Sequence, residues 1–311
     1  MTTVEELFDS ENTATEEIFD PDDTFDREAY KKRKDEERRE LFEIADVTAL
    51  EICTSAEKLR SYLDVQARFL NHLATNALLI TAQMPSARLL REYDEWKAMG
   101  AIVRRGGKWA KILKAGNEYT RGDGTKGNGW VVKRVYDVSQ TTEPDRYSAP
   151  DLKLDPEQLM RCLLKKSPVR VVASDSLPDG MRAFYSHETS TILVRRFRTS
   201  ADVEITLREM FSEEAQAEIA YGNDNYDRES AADTALCVSY ILAHRHGLDT
   251  SSYDLEPVLA HLSGDTYDSR EIRGELSLIR KTAFDIGNRI DKSRTNSKES
   301  QDTDNSSPDD R

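Results

Sequence analysis

All three tryptophans of this 311-residue chain, Trp96, Trp109 and Trp130, fall between Ser61 and Thr142, and the apolar spacing changes within that stretch. Over Ser61–Ile80 the residues Tyr62, Val65, Phe69 and Leu73 recur at helical intervals, which predicts one amphipathic helix. Asn71, Asn76 and Gln83 punctuate its later part. Pro85 then begins or limits a second helix carrying Leu89, Leu90, Tyr93 and Trp96, and Gly100 is placed to end it. Beyond Gly100 the period becomes two. Ala101–Arg104 and Lys108–Lys114 read as strands joined at Gly106-Gly107, with Trp109, Lys111 and Leu113 on one side and Ala110 and Ile112 on the other. Gly116–Gly129 reads as a flexible, glycine-rich surface loop, after which Trp130–Val138 alternates again. Helices followed by a small sheet bury their apolar faces against each other, so an α+β domain is expected.

Charge singles out the same stretch. The chain carries a net charge of -14. Lys97 to Arg134 nevertheless holds ten bases against two acids, a local charge of +8. A polyanion meets a patch rather than a total. Aromatic rings that stack on bases, beside cations that track phosphates, are what a single-stranded nucleic-acid surface requires. The candidates are Arg104, Arg105, Lys108, Trp109, Lys111, Lys114, Lys126, Trp130, Lys133 and Arg134, with Trp109 and Trp130 as stacking platforms. The competing reading makes the tryptophans core anchors and the cations a solvated face.

The flanks differ in composition. Residues 1–28 carry eleven acids and one base and are expected to be a disordered acidic arm. Residues 29–145 form the expected nucleic-acid-binding domain, with its core at about 45–145. A mixed-charge helix leads into it from Arg27. Glu143 to Pro150 is a polar linker. A second domain, 150–292, is expected to be mainly helical with a short sheet. Its helices are predicted at Pro156–Lys165, Asp202–Tyr221, Arg228–His246 and Asp268–Lys292, with strands at Val169–Ala173, Arg182–Tyr185 and Thr191–Arg195. Residues 293–311, rich in Ser, Asn and Asp, read as a disordered tail. Cys53, Cys162 and Cys237 form no CxxC and read as reduced, structural thiols, the opening residues carry no signal-peptide pattern, and no run is apolar enough to span a membrane. A cytoplasmic protein is expected.

Several short runs carry a family resemblance. Gln66-Ala-Arg-Phe69, Asn76-Ala-Leu-Leu-Ile80, Gln83-Met-Pro85, Trp96-Lys-Ala-Met-Gly100, Gly106-Gly-Lys108 and Val135-Tyr-Asp-Val-Ser-Gln-Thr141 keep their order and spacing over about 80 residues. In this the first half resembles the single-stranded-DNA-binding domain of ArdC-type antirestriction proteins, and of the related LtrC-like proteins of conjugative elements. The resemblance implies binding of single-stranded DNA with little regard to sequence, in the service of a plasmid, phage or conjugative element. It also implies a zincin-like second domain bearing a His-Glu-x-x-His helix. There, two histidines one turn apart hold zinc, the glutamate is the general base, and a later acidic residue completes the site.

The second half has the layout without the motif. Leu207-Arg-Glu-Met-Phe-Ser212 occupies its place, with Arg208 and Ser212 where the histidines belong and Glu209 as the surviving base. Glu229 and Asp233, four apart, are both candidates for the third ligand's position. No metal and no cofactor is therefore expected, and no catalysis. A structural reading makes Arg208, Glu209 and Asp233 a buried ion-paired cluster tying two helices together. His72, His187, His244, His246 and His261 read as surface or packing residues, and no Walker-type loop or Ser-His-Asp arrangement is visible. The chain thus reads as a non-catalytic single-stranded-DNA-binding protein of a mobile element, acting in DNA transfer or antirestriction. A protein partner on the second domain is left open. The alternatives are a metal-dependent peptidase acting on DNA-bound proteins, and an acidic inhibitor that occupies a restriction enzyme.

Overall fold

The computed structural model describes residues 26–120, 124–147, 151–178, 180–197, 199–264 and 267–304. Most of the acidic arm therefore lies outside the described residues. The chain divides into two units. The first gathers the residues up to Val65, together with His72–Asp151 and Leu259–Arg273. The second gathers Gln66–Asn71, Leu152–Val258 and the residues from Gly274 onward. The fold is α+β, with two three-stranded sheets.

The first unit opens with α1 (Arg27–Ile52), whose N-terminus is capped by the Asp26 carboxylate accepting from the backbone N–H of Glu28 and Ala29. The single helix expected over Ser61–Ile80 is instead two, α2 (Ala56–Arg68) and α3 (Ala74–Gln83). The chain turns between them with Phe69 and Leu70 buried, and the Gln66 amide donates to the Phe69 carbonyl. Periodicity continues through the break because both helices hide an apolar face.

The second expected helix is also shorter. Leu90–Arg91 forms β1, and only Tyr93–Ala98 is helical (α4). Gly100 does end it, at φ 80°. The Ala101 N–H reaches the Trp96 carbonyl and the Gly100 N–H that of Lys97, a Schellman closure. Fully buried Trp96 forms a small core with Ala101 and Val138.

The sheet itself is the hairpin β2 (Ala110–Thr120) and β3 (Lys126–Asp137), with β1 on the far side of β3. This corrects two expectations. Gly106-Gly107 is a turn, but Val103 before it bridges to Thr141 rather than pairing with β2. The supposed Gly116–Gly129 loop is mostly strand, with a register irregularity between Ala115 and Glu118. At Gly116 a Cβ would come within 2.8 Å of a Val131 methyl, so a side chain there would collide with β3.

The second unit contains α5 (Pro156–Lys165), the sheet β4 (Arg170–Ala173), β5 (Ala183–Ser186) and β6 (Thr191–Val194), then α6 (Ser200–Ala220) and α7 (Ala232–His246). β6 is central, parallel to β4 and antiparallel to β5. The α7 helix starts after Arg228, where the sequence had placed its beginning. A short helix, α8 (Glu256–Leu262), went unanticipated, and α9 (Ser269–Asp304) continues past Lys292 into the expected tail. Among the described residues no helix is long and apolar enough to cross a membrane.

Candidate nucleic-acid interface and the Arg208–Ser212 cleft

Across an antiparallel ladder, directly opposed residues share a face. Lys111 faces Arg134, Leu113 faces Val132 and Ala115 faces Trp130, whereas Ile112 faces Lys133 and Lys114 faces Val131. The ten candidates therefore do not form one surface. Lys111 and Arg134 flank Trp109, the Arg134 guanidinium lying 4.6 Å and the Lys111 ammonium 5.6 Å from the indole centroid. Trp130 is half-buried and shares a small cavity with Phe42, Leu73 and Leu113, so its ring packs toward the helices.

Several cations are already engaged. Glu92 accepts from Lys114 at 2.6 Å and from Lys133 at 2.8 Å, and Glu95 lies 3.4 Å from Lys114. Burial alone would push the Glu92 carboxyl up, but the two lysine hydrogen bonds outweigh it and hold the group below its usual range. Lys111 pairs with Glu37 at 3.3 Å and Lys126 with Glu118 at 2.7 Å. Three of these acids, Glu37, Glu92 and Glu95, lie outside the 97–134 window, so a local charge count could not register them. Arg104, Arg105 and Lys108 stand around the positive-φ turn at Gly106, exposed and without a carboxylate partner among the described residues. With Arg134 they are the candidates whose charge is available.

The motif residues of the first half turn out to hold the sheet. Asn76 on α3 accepts from the Leu113 N–H at 2.9 Å and donates to the Leu113 carbonyl at 2.7 Å. Gln83, two helical turns on, does the same for Lys111, at 2.8 and 2.9 Å. Each amide pairs with the outer edge of β2 as another strand would. Asp137 accepts from the backbone N–H of Arg88, Leu89 and Ser139. Burial alone would raise this carboxyl, but these bonds hold it below the usual range.

In the second unit, Arg208, Glu209 and Ser212 line a cleft of about 580 Å³ with Ser239, Ser252 and Tyr253. The Glu209 carboxylate turns to the sheet, accepting through one oxygen from the backbone N–H of Arg182 at 2.6 Å and Ala183 at 3.2 Å. Arg208 donates to the Asp249 carbonyl and the Ser252 hydroxyl. The expected Arg208–Glu209–Asp233 ion cluster does not form around Arg208, because Arg208 is turned to Asp249 and Ser252 and Glu209 to the sheet backbone. Glu229 is exposed in the turn before α7 and Asp233 lies in its first turn, so the two do not share a helix face. Burial pushes the Tyr253 hydroxyl up to about 12, and that group shares a 2.7 Å hydrogen bond with Ser239.

A divalent metal needs converging deprotonated donors. Here the cleft offers the Arg208 guanidinium and the Ser212 hydroxyl, and the Glu209 oxygen is engaged by peptide N–H groups. The donor set does not fit a zinc ion. Among the described residues no three His, Cys, Asp or Glu side chains gather where they could hold a metal.

An ion pair that does tie elements of this unit together was missed. Buried Glu213 accepts from the Tyr185 N–H at 2.7 Å and from both terminal nitrogens of Arg228, at 2.6 and 2.9 Å. Glu209 and Glu213, one turn apart, thus both face the edge of β5. Their i, i+4 spacing was the available signal.

No family model matches the chain, and no curated protein does. Among solved structures the chain is similar to the metal-free crystal structure of the antirestriction ArdC protein from plasmid R388. The identity is 19% over 71% of this chain and 85% of that one, with a TM-score of 0.46. It is similar also to the Mn(II)-bound crystal structure of that protein, at 17% identity over 74% of this chain and 97% of that one, again with a TM-score of 0.46. The chain resembles ArdC-type antirestriction proteins, the family whose motif order its first half follows.

Proposed function

We propose that the chain binds single-stranded DNA through its first unit and serves a mobile genetic element, in antirestriction or DNA transfer, without catalysis of its own. The observation that carries this reading is the group of exposed cations Arg104, Arg105 and Lys108, without a carboxylate partner among the described residues, next to the Trp109–Arg134 stack. Fixed cations attract phosphates, and an indole beside them offers a face for a base. The motif order of the first half supports the choice of single strands. The lost histidines at positions 208 and 212 support the absence of catalysis. Lys114 and Lys133, tied to Glu92, and Trp130, turned to the helices, contribute less than the residues around Gly106.

Fluorescence anisotropy with a labelled single strand and a matched duplex, at two salt concentrations, tests this. Single-strand-preferring, salt-sensitive binding is expected. Arg104→Glu/Arg105→Glu/Lys108→Glu should lower the magnitude of the salt slope by about 2, at about 0.7 per neutralised phosphate. Absence of binding at low salt would overturn the reading.

A further inference from the structure

The second unit has its own exposed basic surface, which the sequence reading did not single out. From Gln158 to Ser174 the chain carries Arg161, Lys165, Lys166 and Arg170 and no acid. Arg195 and Arg196 follow β6 directly. Arg161 and Leu164 of α5 line one groove of about 400 Å³ with Phe197 and Thr199 at the entry to α6, and Arg195 and Arg196 immediately precede Phe197 in the chain. Arg161, Lys165, Arg195 and Arg196 are exposed, and among the described residues none has a carboxylate partner. Glu157 is the one acid lining the groove, and it receives the Ser200 hydroxyl at 3.4 Å.

Two apolar side chains stand open within this field of charge. Phe197 is 40% and Leu164 37% exposed. In a chain of net charge -14, exposed cations beside an uncovered ring are complementary to a polyanion with flat apolar faces. Nucleic acid in single strands has both properties, because its phosphates suit guanidinium forks and its bases suit a phenyl face.

We propose that this groove is a second single-stranded nucleic-acid contact, in which Phe197 stacks on a base while Arg161, Arg195 and Arg196 hold the phosphates on either side. It rests on the reading that the ligand of this chain is single-stranded nucleic acid, yet it is carried by different residues on a different unit.

The test uses the full chain and a long labelled oligothymidine at two salt concentrations. Three variants are compared with wild type: Arg161→Glu/Arg195→Glu/Arg196→Glu, Phe197→Ala, and the reversal at Arg104, Arg105 and Lys108. Circular dichroism melting confirms that each is folded. The groove reversal should weaken binding at least several-fold and lower the salt slope by about 2, from three phosphate contacts. Phe197→Ala should weaken binding of oligothymidine and leave an abasic strand of the same length unaffected. The Arg104/Arg105/Lys108 reversal should retain salt-dependent binding through the groove. If wild type binds and the groove reversal leaves affinity and slope unchanged, the second contact is overturned while the first stands. If the groove reversal abolishes binding and the Arg104/Arg105/Lys108 reversal does not weaken it, the second contact stands and the first is overturned. An acidic peptide that competes as well as an abasic strand, with Phe197→Ala silent on both strands, would overturn the nucleic-acid assignment of the groove.

Discussion

Each unit of this chain closes one edge of its sheet with side chains from a helix, and the two do so with different chemistry. On β2 the groups are amides, Asn76 and Gln83, and each satisfies both the N–H and the carbonyl of one residue. On β5 they are carboxylates, Glu209 and Glu213, which can only accept. An amide completes a strand edge without introducing charge. A buried carboxylate leaves the edge carbonyls to other partners and needs a counterion, which Arg228 supplies to Glu213 and which also donates to the Tyr185 carbonyl. The lesson is that a glutamate beside a cleft, here Glu209, can be held by the backbone of the sheet instead of facing a ligand.

The largest expected effect comes from breaking the charged edge. Glu213→Leu leaves the Arg228 guanidinium unpaired and the Tyr185 N–H unmet, and urea denaturation should show a loss of about 3 kcal/mol. A loss below about 1 kcal/mol would mean that water replaces the pair freely, and that the two edges are energetically alike.

Exchanging the chemistry is more discriminating. Asn76→Asp keeps the acceptor for Leu113 but sets an oxygen against the Leu113 carbonyl, at a position only 5% exposed. It should cost about 2 kcal/mol at neutral pH, and less at acidic pH, where the carboxyl regains a proton to donate. A pH-independent loss would show that the donor bond is dispensable.

The units should also respond to pH in opposite directions. The folded Asp137 carboxyl sits below its usual range, so its contribution is present above an unfolded value of about 3.9 and is lost as pH falls through the lower folded value. Glu214 on α6 is fully buried, with Arg289 no closer than 3.5 Å, and burial raises its carboxyl to about 7. Stability from Glu214 is full below 4.5 and declines as pH rises through about 7. Denaturation of Asp137→Asn should show a flattened acid limb, and Glu214→Gln a flattened fall toward neutral pH. Matching profiles for wild type and Glu214→Gln would place that carboxyl in contact with water.

The smallest effect is expected at Glu209→Gln. The amide oxygen can still accept from Arg182 and Ala183, so the change should cost less than about 1 kcal/mol. A large loss would mean that the charge itself steadies the β5 edge.

How far the sequence carried depended on how local each determinant is. The helix stop at Gly100 and the strand alternation of β3 follow from short-range conformational rules, and both were legible. So was the α5 helix, whose cap and first proline, Asp155 and Pro156, are adjacent residues. The break between α2 and α3 was not legible, because two consecutive helices that each bury an apolar face keep a nearly continuous apolar spacing. Strand pairing failed likewise at Gly106-Gly107, where a tight turn joins segments that find partners elsewhere.

By itself the sequence determined the α+β class and the basic stretch, since each is a matter of residue type and spacing. Only the tertiary structure decided which charges remain available. Glu37 and Glu92 reach Lys111, Lys114 and Lys133 across the fold, leaving Arg104, Arg105 and Lys108 without a carboxylate partner among the described residues. It likewise turned Asn76 and Glu209 to the edges of their sheets and set Phe197 beside Arg161. Ion pairs and edge hydrogen bonds act over a few ångströms of space, and distance along the chain does not record that separation.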